Sequence, residues 1–116
     1  MNHGQKGRKF GRMTKQRKEL LRDLARALIL NNKINTTQAK AKSLRPYIEK
    51  LVTKAKNKSL ASNRLLTSEL GYSSAKKLTK EIVDKFSERK GGYTRVINLP
   101  PRLSDGSKMA IIEFVR

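Results

Sequence analysis

The sequence predicts a two-layer α+β protein in which helices pack on one face of a small three-stranded sheet. Up to Arg89, apolar residues recur mainly at helical spacing, which is typical of amphipathic helices. Beyond Gly92 the apolar residues are largely β-branched and cluster in two runs, which favours strands. A third short β-branched stretch, KINTT, separates the first two helical segments. The predicted order is α-β-α-α-α-β-β, and helices on one face of the sheet are the simplest packing.

The chain starts with a basic segment, residues 1–14, that has no apolar period. Its sequence MNHGQKGRKFGRMT includes Gly4, Gly7 and Gly11, and a glycine inside a helix costs about 1 kcal/mol. A segment with little apolar surface and high charge cannot fold alone. We therefore expect a basic N-terminal arm over residues 1–14 that is extended until a partner orders it, followed by one α+β globular domain over residues 15–116.

The first predicted helix runs from Lys15 to about residue 30. One side carries the apolar stripe, which consists of Leu20, Leu21, Leu24, Leu28 and Ile29. Asn31 and Asn32 are expected to end it, because asparagine tolerates the left-handed conformation that follows many helices. The β-branched residues of KINTT then predict a short strand at residues 33–36.

The second predicted helix, QAKAKSLRPYIEKLVTKAKN, contains a proline. Thr36 or Thr37 is expected to cap its start. The apolar stripe consists of Ala41, Leu44, Ile48, Leu51, Val52 and Ala55. Pro46 removes one backbone hydrogen bond and clashes with the preceding turn, so we expect a kink or a brief break near residues 42–45.

Two more helices precede the predicted hairpin. Ser59 is expected to cap LASNRLLTSEL, and Gly71 to end it. One of the serines at 73 and 74 is expected to cap AKKLTKEIVDKFSER, which the glycines at 91 and 92 end. The runs YTRVINL and KMAIIEFV then predict an antiparallel hairpin, with Asp105-Gly106 as a turn signal between them.

The charge points to a polyanionic partner. The chain has 28 Lys and Arg against 9 Asp and Glu, a net charge of +19 and a pI of about 10.8, which is the electrostatic footprint of a nucleic-acid-binding protein. An anionic membrane is disfavoured, because a membrane-surface helix wants Trp or Phe on its apolar face and the chain has no Trp and 3 scattered Phe. No apolar run is long enough to span a bilayer and no signal peptide is visible. The expected location is therefore cytoplasmic.

Little in the sequence supports catalysis. The single histidine, His3, lies on the arm without a fixed partner for acid–base chemistry. The acids are dispersed among basic residues, and their simplest interpretation is solvated ion pairs. The chain has no Cys, and its glycines do not follow a strand as a phosphate-binding loop requires. We expect no enzyme activity, cofactor, metal or small-molecule substrate.

Three basic clusters are predicted to contact phosphates. They comprise, in the arm and first helix, Lys6, Arg8, Lys9, Arg12, Lys15, Arg17 and Lys18; in the second helix, Lys40, Lys42, Arg45, Lys50, Lys54, Lys56 and Lys58; and near the hairpin, Arg89, Lys90, Arg95 and Arg102. Neutralising phosphates releases condensed counterions and so drives binding. No helix-turn-helix and no aromatic pair of an RNA-recognition sheet is evident. The pattern favours backbone binding to a large folded RNA, with an architectural DNA-binding protein as the alternative.

Several stretches resemble the bacterial large-subunit ribosomal protein seventeen family. His3, Gly7-Arg8, Arg12, Arg17 and Arg22 follow its opening pattern. INTTQAKAKSLR and EKLVTKAK match its central signature, FSERKGGYTRV matches its Gly-Gly-Tyr-Thr-Arg signature, and SDGSKMAIIEFV matches its closing strand. The resemblance runs in order from end to end of the chain.

The resemblance implies an α+β fold and a structural role in the large ribosomal subunit. Members bind large-subunit ribosomal RNA near the peptide exit tunnel, beside other ribosomal proteins. By resemblance the RNA-binding residues are His3, Arg8, Arg12, Arg17 and Arg22; Thr36, Thr37, Lys40, Lys42 and Arg45; and Arg89, Gly91, Gly92, Tyr93, Thr94 and Arg95. Backbone amides at the start of the second helix suit a phosphate. Tyr93 is expected either to stack on a base or to lie in the core.

Overall fold

The computed structural model describes the backbone of residues 3–115 and the side chains of residues 14–115. The helices and strands are α1 (His3–Asn31), β1 (Lys33–Thr37), α2 (Gln38–Asn57), α3 (Leu60–Leu70), α4 (Tyr72–Lys77), β2 (Thr94–Leu99) and β3 (Met109–Phe114). A π-helical segment (Leu78–Ile82) and a 3₁₀ segment (Val83–Phe86) continue α4. The predicted α+β class and the predicted order of helices and strands are confirmed. No helix of the described residues is long and apolar enough to cross a bilayer.

The three strands form one antiparallel sheet in the order β1-β3-β2. Ile112, in the central strand, is fully buried and is flanked by Ile34 on one side and Val96 on the other. Alternate residues of β3 therefore face the helices, as the period of a strand requires. Ala110 is the next buried position on the same face.

The core lies between this face of the sheet and the helices. α2 contributes its whole predicted stripe, since Ala41, Leu44, Ile48, Leu51, Val52 and Ala55 are all buried. At one end of the core Phe86 packs against Tyr93, with ring centroids 5.2 Å apart, and against Phe114 at 6.1 Å. The chain that leads into β2 is thereby anchored to the helical layer.

The start of α1 differs from the prediction. The helix begins at His3 rather than Lys15. Gln, Lys, Arg and Met favour helix and outnumber the glycines there, and lengthening an existing helix needs no new nucleus. Leu20, predicted to lie in the apolar stripe, is 39% exposed. The end is as predicted, because Asn32 has a φ of 67° and its amide donates to the Leu28 carbonyl at 2.7 Å.

α2 and α3 follow the predicted caps but not the predicted break. Thr37 caps α2 by accepting from the Lys40 amide at 3.3 Å, and α2 continues through Pro46 as one uninterrupted helix. Ser59 caps α3 by accepting from the Ser62 amide at 3.1 Å. The predicted break near residues 42–45 is therefore wrong, whereas the alternative of a kink there stays a prediction.

The last helical stretch is less regular than predicted. α4 begins at Tyr72 with no side-chain cap, so the serine cap predicted at 73 or 74 is wrong. The Thr79 hydroxyl donates to the Ala75 carbonyl at 3.0 Å. A hydroxyl that competes for the carbonyl one turn back loosens a helix, and the π-helical segment lies at this point. The helical stretch ends at Phe86, ahead of the predicted stop at the glycine pair.

Candidate nucleic-acid interface

The basic side chains of α1 divide into those outside and those inside the described part of the chain. The side chains of His3, Lys6, Arg8, Lys9 and Arg12 lie outside the described residues, so their predicted RNA contacts stay predictions. The remaining predicted side chains of α1, Lys15, Arg17, Lys18 and Arg22, are described, and the first three of these are exposed.

Arg17 connects the basic face of α1 to α2. Its Nη2 donates to the Ser43 hydroxyl at 3.3 Å. Ser43 lies between Lys42 and Leu44 on α2, so the exposed cations of α1 lie beside those of the first turns of α2. Two clusters that are separate in the sequence therefore share one side of the molecule.

Arg22 has an internal partner. Its Nε lies 3.3 Å from Glu69 Oε2 on α3, and the Tyr47 hydroxyl donates to the same oxygen at 2.8 Å. Burial, followed by the hydrogen bond to Glu69, raises the pKa of Tyr47 to about 12. The Tyr47 hydrogen bond, despite an opposing effect of burial, holds the pKa of Glu69 below its usual value, with Arg22 adding to that effect. Arg22 thus joins α1 to α2 and α3 within the fold.

Two backbone amides at the start of α2 already have hydrogen-bond partners within the protein. The Lys40 amide is occupied by Thr37, and the Gln38 amide donates to the Lys108 carbonyl at 2.9 Å. Thr36 is buried at 8% exposure and pairs with Ala110 in the sheet, so its predicted RNA contact stays a prediction. Lys40 and Lys42, by contrast, are exposed, and within residues 14–115 neither has a carboxylate at ion-pair distance.

Glu49 of α2 holds the Gly-Gly-Tyr-Thr stretch. Its Oε1 accepts from the Gly92 amide at 2.9 Å and from the Tyr93 amide at 3.3 Å, and its Oε2 accepts from the Thr94 hydroxyl at 3.2 Å. Arg45 Nε lies 3.5 Å from the same carboxylate. Thr94 is 1% exposed and its hydroxyl already has a partner inside the fold, so its predicted RNA contact stays a prediction.

Tyr93 lies in the core, one of the two positions that the sequence left open. The side chain is 2% exposed, so it does not present a face for a base. Lys56 Nζ lies 5.3 Å from the ring centroid and 3.4 Å from the hydroxyl, and it also donates to the Arg89 carbonyl. Lys56, which the sequence predicts to contact phosphate, therefore also ties α2 to the 89–95 loop by hydrogen bonds.

The cations around this loop point outward. Arg89 donates from Nη1 to the Gly92 carbonyl at 3.1 Å and remains exposed, as does Lys90. Arg95 pairs across the strands with Glu113 at 2.8 Å, yet its side chain is 59% exposed. Arg102 lies 3.3 Å from Asp105 in the hairpin loop. The Gly91 and Gly92 backbone is exposed between these cations.

α2 thus connects the described basic face of α1 to the 89–95 loop. Its first turns meet α1 at Ser43, and its later turns hold the 89–95 loop through Glu49 and Lys56. In the described residues, no cluster of three or more His or acidic side chains could hold a metal ion. The arrangement offers spaced positive charge on a rigid support, which suits phosphate groups of a folded nucleic acid.

The fold and this surface define a small, strongly basic α+β protein of the kind that binds nucleic-acid backbone. The profile of the family described as Ribosomal protein L17 matches residues 20–115. The large ribosomal subunit protein bL17 of Nautilia profundicola is 48% identical over 120 residues, covering 99% of this chain and 98% of the relative. That of Shouchella clausii is 47% identical over 116 residues, covering 92% and 97%.

The chain belongs to the ribosomal protein L17 family. The family predicted from the sequence motifs is confirmed. Family membership also confirms the predicted structural, non-enzymatic role and the predicted location in the ribosome, in the cytoplasm.

Glu49 is the functional residue that sequence reasoning missed. From the sequence, Glu49 is interpreted like the other acids as one partner of a solvated ion pair. Of its contacts in the structure, only the one with Arg45 fits that interpretation. A glutamate in EKLVTKAK has no sequence signal for three donors from a loop more than 40 residues away. The acid became recognisable only when the fold brought α2 and the loop together.

Proposed function

We propose that the protein is a structural constituent of the large ribosomal subunit that binds large-subunit ribosomal RNA by phosphate neutralisation. The observation that carries the proposal is the family match over residues 20–115 in a chain with a net charge of +19. The protein would act by holding RNA segments in place around a small rigid core, without chemistry of its own.

Three surfaces make the contacts in this proposal. The first is the arm of residues 1–14 with Lys15, Arg17 and Lys18 of α1. The second is the start of α2, where Lys40 and Lys42 are exposed. The third is the 89–95 loop with Arg102. The residues of this third surface are Arg89, Lys90, Gly91, Gly92, Arg95 and Arg102.

The charge geometry supports this division. Lys15, Lys18, Lys40, Lys42 and Lys90 are exposed, and none is within ion-pair distance of a carboxylate in residues 14–115. Such cations keep their full charge for phosphates. Each cation that neutralises a phosphate releases counterions, and the release is the source of affinity.

The glycines of the third surface suit close approach of RNA. Gly92 has a φ of 63°, and a Cβ at Gly91 or Gly92 would meet nothing within 4 Å. The space next to both residues is therefore open, and Glu49 accepts from the Gly92 amide and so holds the loop in place. A phosphate or ribose can approach the backbone here between Arg89 and Arg95.

We propose a position beside other large-subunit proteins near the peptide exit tunnel, which the resemblance of the sequence motifs to the family supports. Sedimentation of the tagged protein in lysate on a sucrose gradient, at low and then at high salt, tests whether the protein belongs to the large subunit. Co-migration with large subunits that survives the high-salt wash is expected, whereas migration with chromosomal DNA would favour an architectural DNA-binding protein.

Salt dependence tests the electrostatic mechanism. For about 6–10 phosphate contacts, affinity for the ribosomal RNA should fall roughly 10³–10⁵-fold between about 50 and 200 mM salt. Titration of labelled RNA with purified protein at several salt concentrations gives the slope. A nearly flat dependence would contradict binding by phosphate neutralisation.

A further inference from the structure

Tyr72 stands out on the surface formed by α3 and α4. Of the aromatic side chains in residues 14–115, it is the only exposed one, at 69% exposure. Exposure on this scale forgoes the burial that normally stabilises a tyrosine in a folded protein. No part of the interface described above lies on α3 or α4, so the ring has no role in it.

Lysines surround the ring on both sides. Lys76 Nζ lies 5.7 Å from the ring centroid. Two shallow grooves flank Tyr72, and both are also lined by Lys76 and Lys80. The second groove additionally contains Lys77, whose Nζ donates to the Leu30 carbonyl at 2.8 Å. One acid, Glu81, borders this groove, so positive charge prevails around the ring.

Polar side chains line the first groove. It contains Asn63, Thr67 and Thr79. Both threonine hydroxyls donate to carbonyls of their own helical segments. The side-chain amide of Asn63, by contrast, has no hydrogen-bond partner within residues 14–115 and is exposed. An amide offers a donor pair and an acceptor, which is the combination that the edge of a base requires.

We propose that the Tyr72 surface, consisting of Tyr72, Lys76, Lys80 and Asn63, binds one unpaired nucleotide of RNA. The base stacks on the Tyr72 ring, and its phosphates lie against the ammonium groups of Lys76 and Lys80. An exposed aromatic ring with flanking cations is how proteins hold bases that leave an RNA helix. The Asn63 amide lines the same groove as Tyr72 and would hydrogen-bond to the edge of the base.

The charge of the surface selects RNA over a protein partner. A protein helix or strand that covered Tyr72 would need to neutralise Lys76 and Lys80, and an apolar partner would leave them desolvated at high cost. The phosphate of the stacked nucleotide supplies the counter-charge within the same ligand. The inference rests on the proposed RNA binding and adds to it a fourth contact, specific for single-stranded RNA.

The test compares a single-stranded probe with a paired one. The full-length protein is titrated with a short oligoadenylate and with an RNA hairpin of equal phosphate number whose strands are joined by a non-nucleotide linker, so that the hairpin has no unpaired base. Tyr72→Ala is expected to weaken oligoadenylate binding about 5- to 150-fold, the range for loss of one stacked base. Hairpin binding should stay within about twofold. Tyr72→Phe, which keeps the ring, is the matched control and should bind both probes as the wild type does.

A local readout separates this surface from the other basic ones. The chain has 3 tyrosines, so fluorotyrosine labelling gives few ¹⁹F signals, and the Tyr72→Phe variant assigns one of them. We expect the Tyr72 signal to shift with oligoadenylate and not with the hairpin. Lys80→Ala should lower the salt slope of oligoadenylate binding by about 0.7.

Each outcome decides one question. Oligoadenylate binding that is unchanged in Tyr72→Ala, with a Tyr72 signal that does not move, overturns the inference while hairpin binding upholds the proposed function. A wild-type protein that binds neither probe overturns both. A photo-crosslinking residue at position 72 that attaches in ribosomes to protein instead of RNA would also overturn the inference.

Discussion

The carboxylate of Glu49 accepts a hydrogen bond from the Gly92 amide at 2.9 Å, across 43 positions of the chain. The same side chain accepts from the Tyr93 amide and the Thr94 hydroxyl. A negative charge inside a strongly basic surface thus fixes the backbone from which Arg89 and Arg95 project. The acid is a support for the cations rather than a competitor with the phosphates.

Replacement of Glu49 by alanine should weaken both the fold and the RNA contact. Thr94, which is 1% exposed, loses a charged acceptor, and the expected loss of unfolding free energy is about 2 kcal/mol. RNA affinity should fall because the 89–95 loop loses its support, even though the net charge rises. Urea denaturation and RNA titration at fixed salt measure the two effects.

Glu88→Ala is the matched control for Glu49→Ala. Glu88 is exposed and makes no ion pair within residues 14–115. It changes the net charge equally, so its RNA affinity should rise slightly and its stability should hold within about 0.5 kcal/mol. If the two variants gained RNA affinity alike, the support role of Glu49 would be wrong.

The Tyr47–Glu69 hydrogen bond should make stability depend on pH. The pKa of Glu69 is lowered in the folded state from 4.5, so its contribution is present above that value and is lost as the pH falls through the folded pKa. The pKa of Tyr47 is raised from 10.0 to about 12, so its contribution is present below 10.0 and is lost as the pH rises to about 12.

Tyr47→Phe isolates this hydrogen bond. At neutral pH the variant should be less stable than the wild type by about 1 kcal/mol. The difference should shrink as the pH falls through the lowered pKa of Glu69, because the carboxylate that accepts the hydrogen bond then becomes protonated. Urea denaturation at neutral and acid pH measures it, and a difference that stayed constant with pH would argue against a charged acceptor.

Lys18 and Arg22 should differ in their effect on RNA binding although both lie on α1. Lys18 is exposed, so Lys18→Ala should reduce the salt slope of RNA binding by about 0.9. Arg22 is partly neutralised by Glu69 at 3.3 Å, so Arg22→Ala should reduce the slope by less. Equal slopes for the two variants would show that RNA displaces the ion pair with Glu69.

Loss of the Phe86 ring should strongly lower the stability of the fold. The side chain is 1% exposed and touches Tyr93 and Phe114. Phe86→Ala should lower the unfolding free energy by about 3–5 kcal/mol. Leu103, at 104% exposure, gives the control, since Leu103→Ala should change stability by less than about 0.5 kcal/mol. Thermal denaturation followed by circular dichroism measures both.

Periodic patterns and caps carried most of the fold prediction. The stripe of α2 is buried in full, and the Thr37 and Ser59 caps lie where their residue types predict them. The prediction of a regular helix after Gly71 is wrong. A hydroxyl that competes for backbone carbonyls, such as that of Thr79, does not change the spacing of apolar residues from which the helix was predicted. The spacing of apolar residues shows which side of a helix faces the core, but it does not show which carbonyl each backbone amide bonds to.

The candidate interface was predictable as a set of cations but not as an arrangement. Nothing in the sequence separates Lys42, which is exposed, from Lys56, which is tied to Tyr93 and Arg89. Both belong to one basic helix. Their difference depends on which part of the chain packs above them, and that is set by contacts between distant residues.

The central place of β3 in the sheet has a consequence for how the protein folds during its synthesis. β1 and β2 both pair with β3 and not with each other, although β3 is the last of the three to be synthesised. The sheet face that covers the helices therefore cannot assemble until residues 109–114 have left the ribosome that makes them. Until then the part of α2 that packs on the sheet stays uncovered, so a nascent chain would benefit from a chaperone or from early contact with RNA to avoid aggregation.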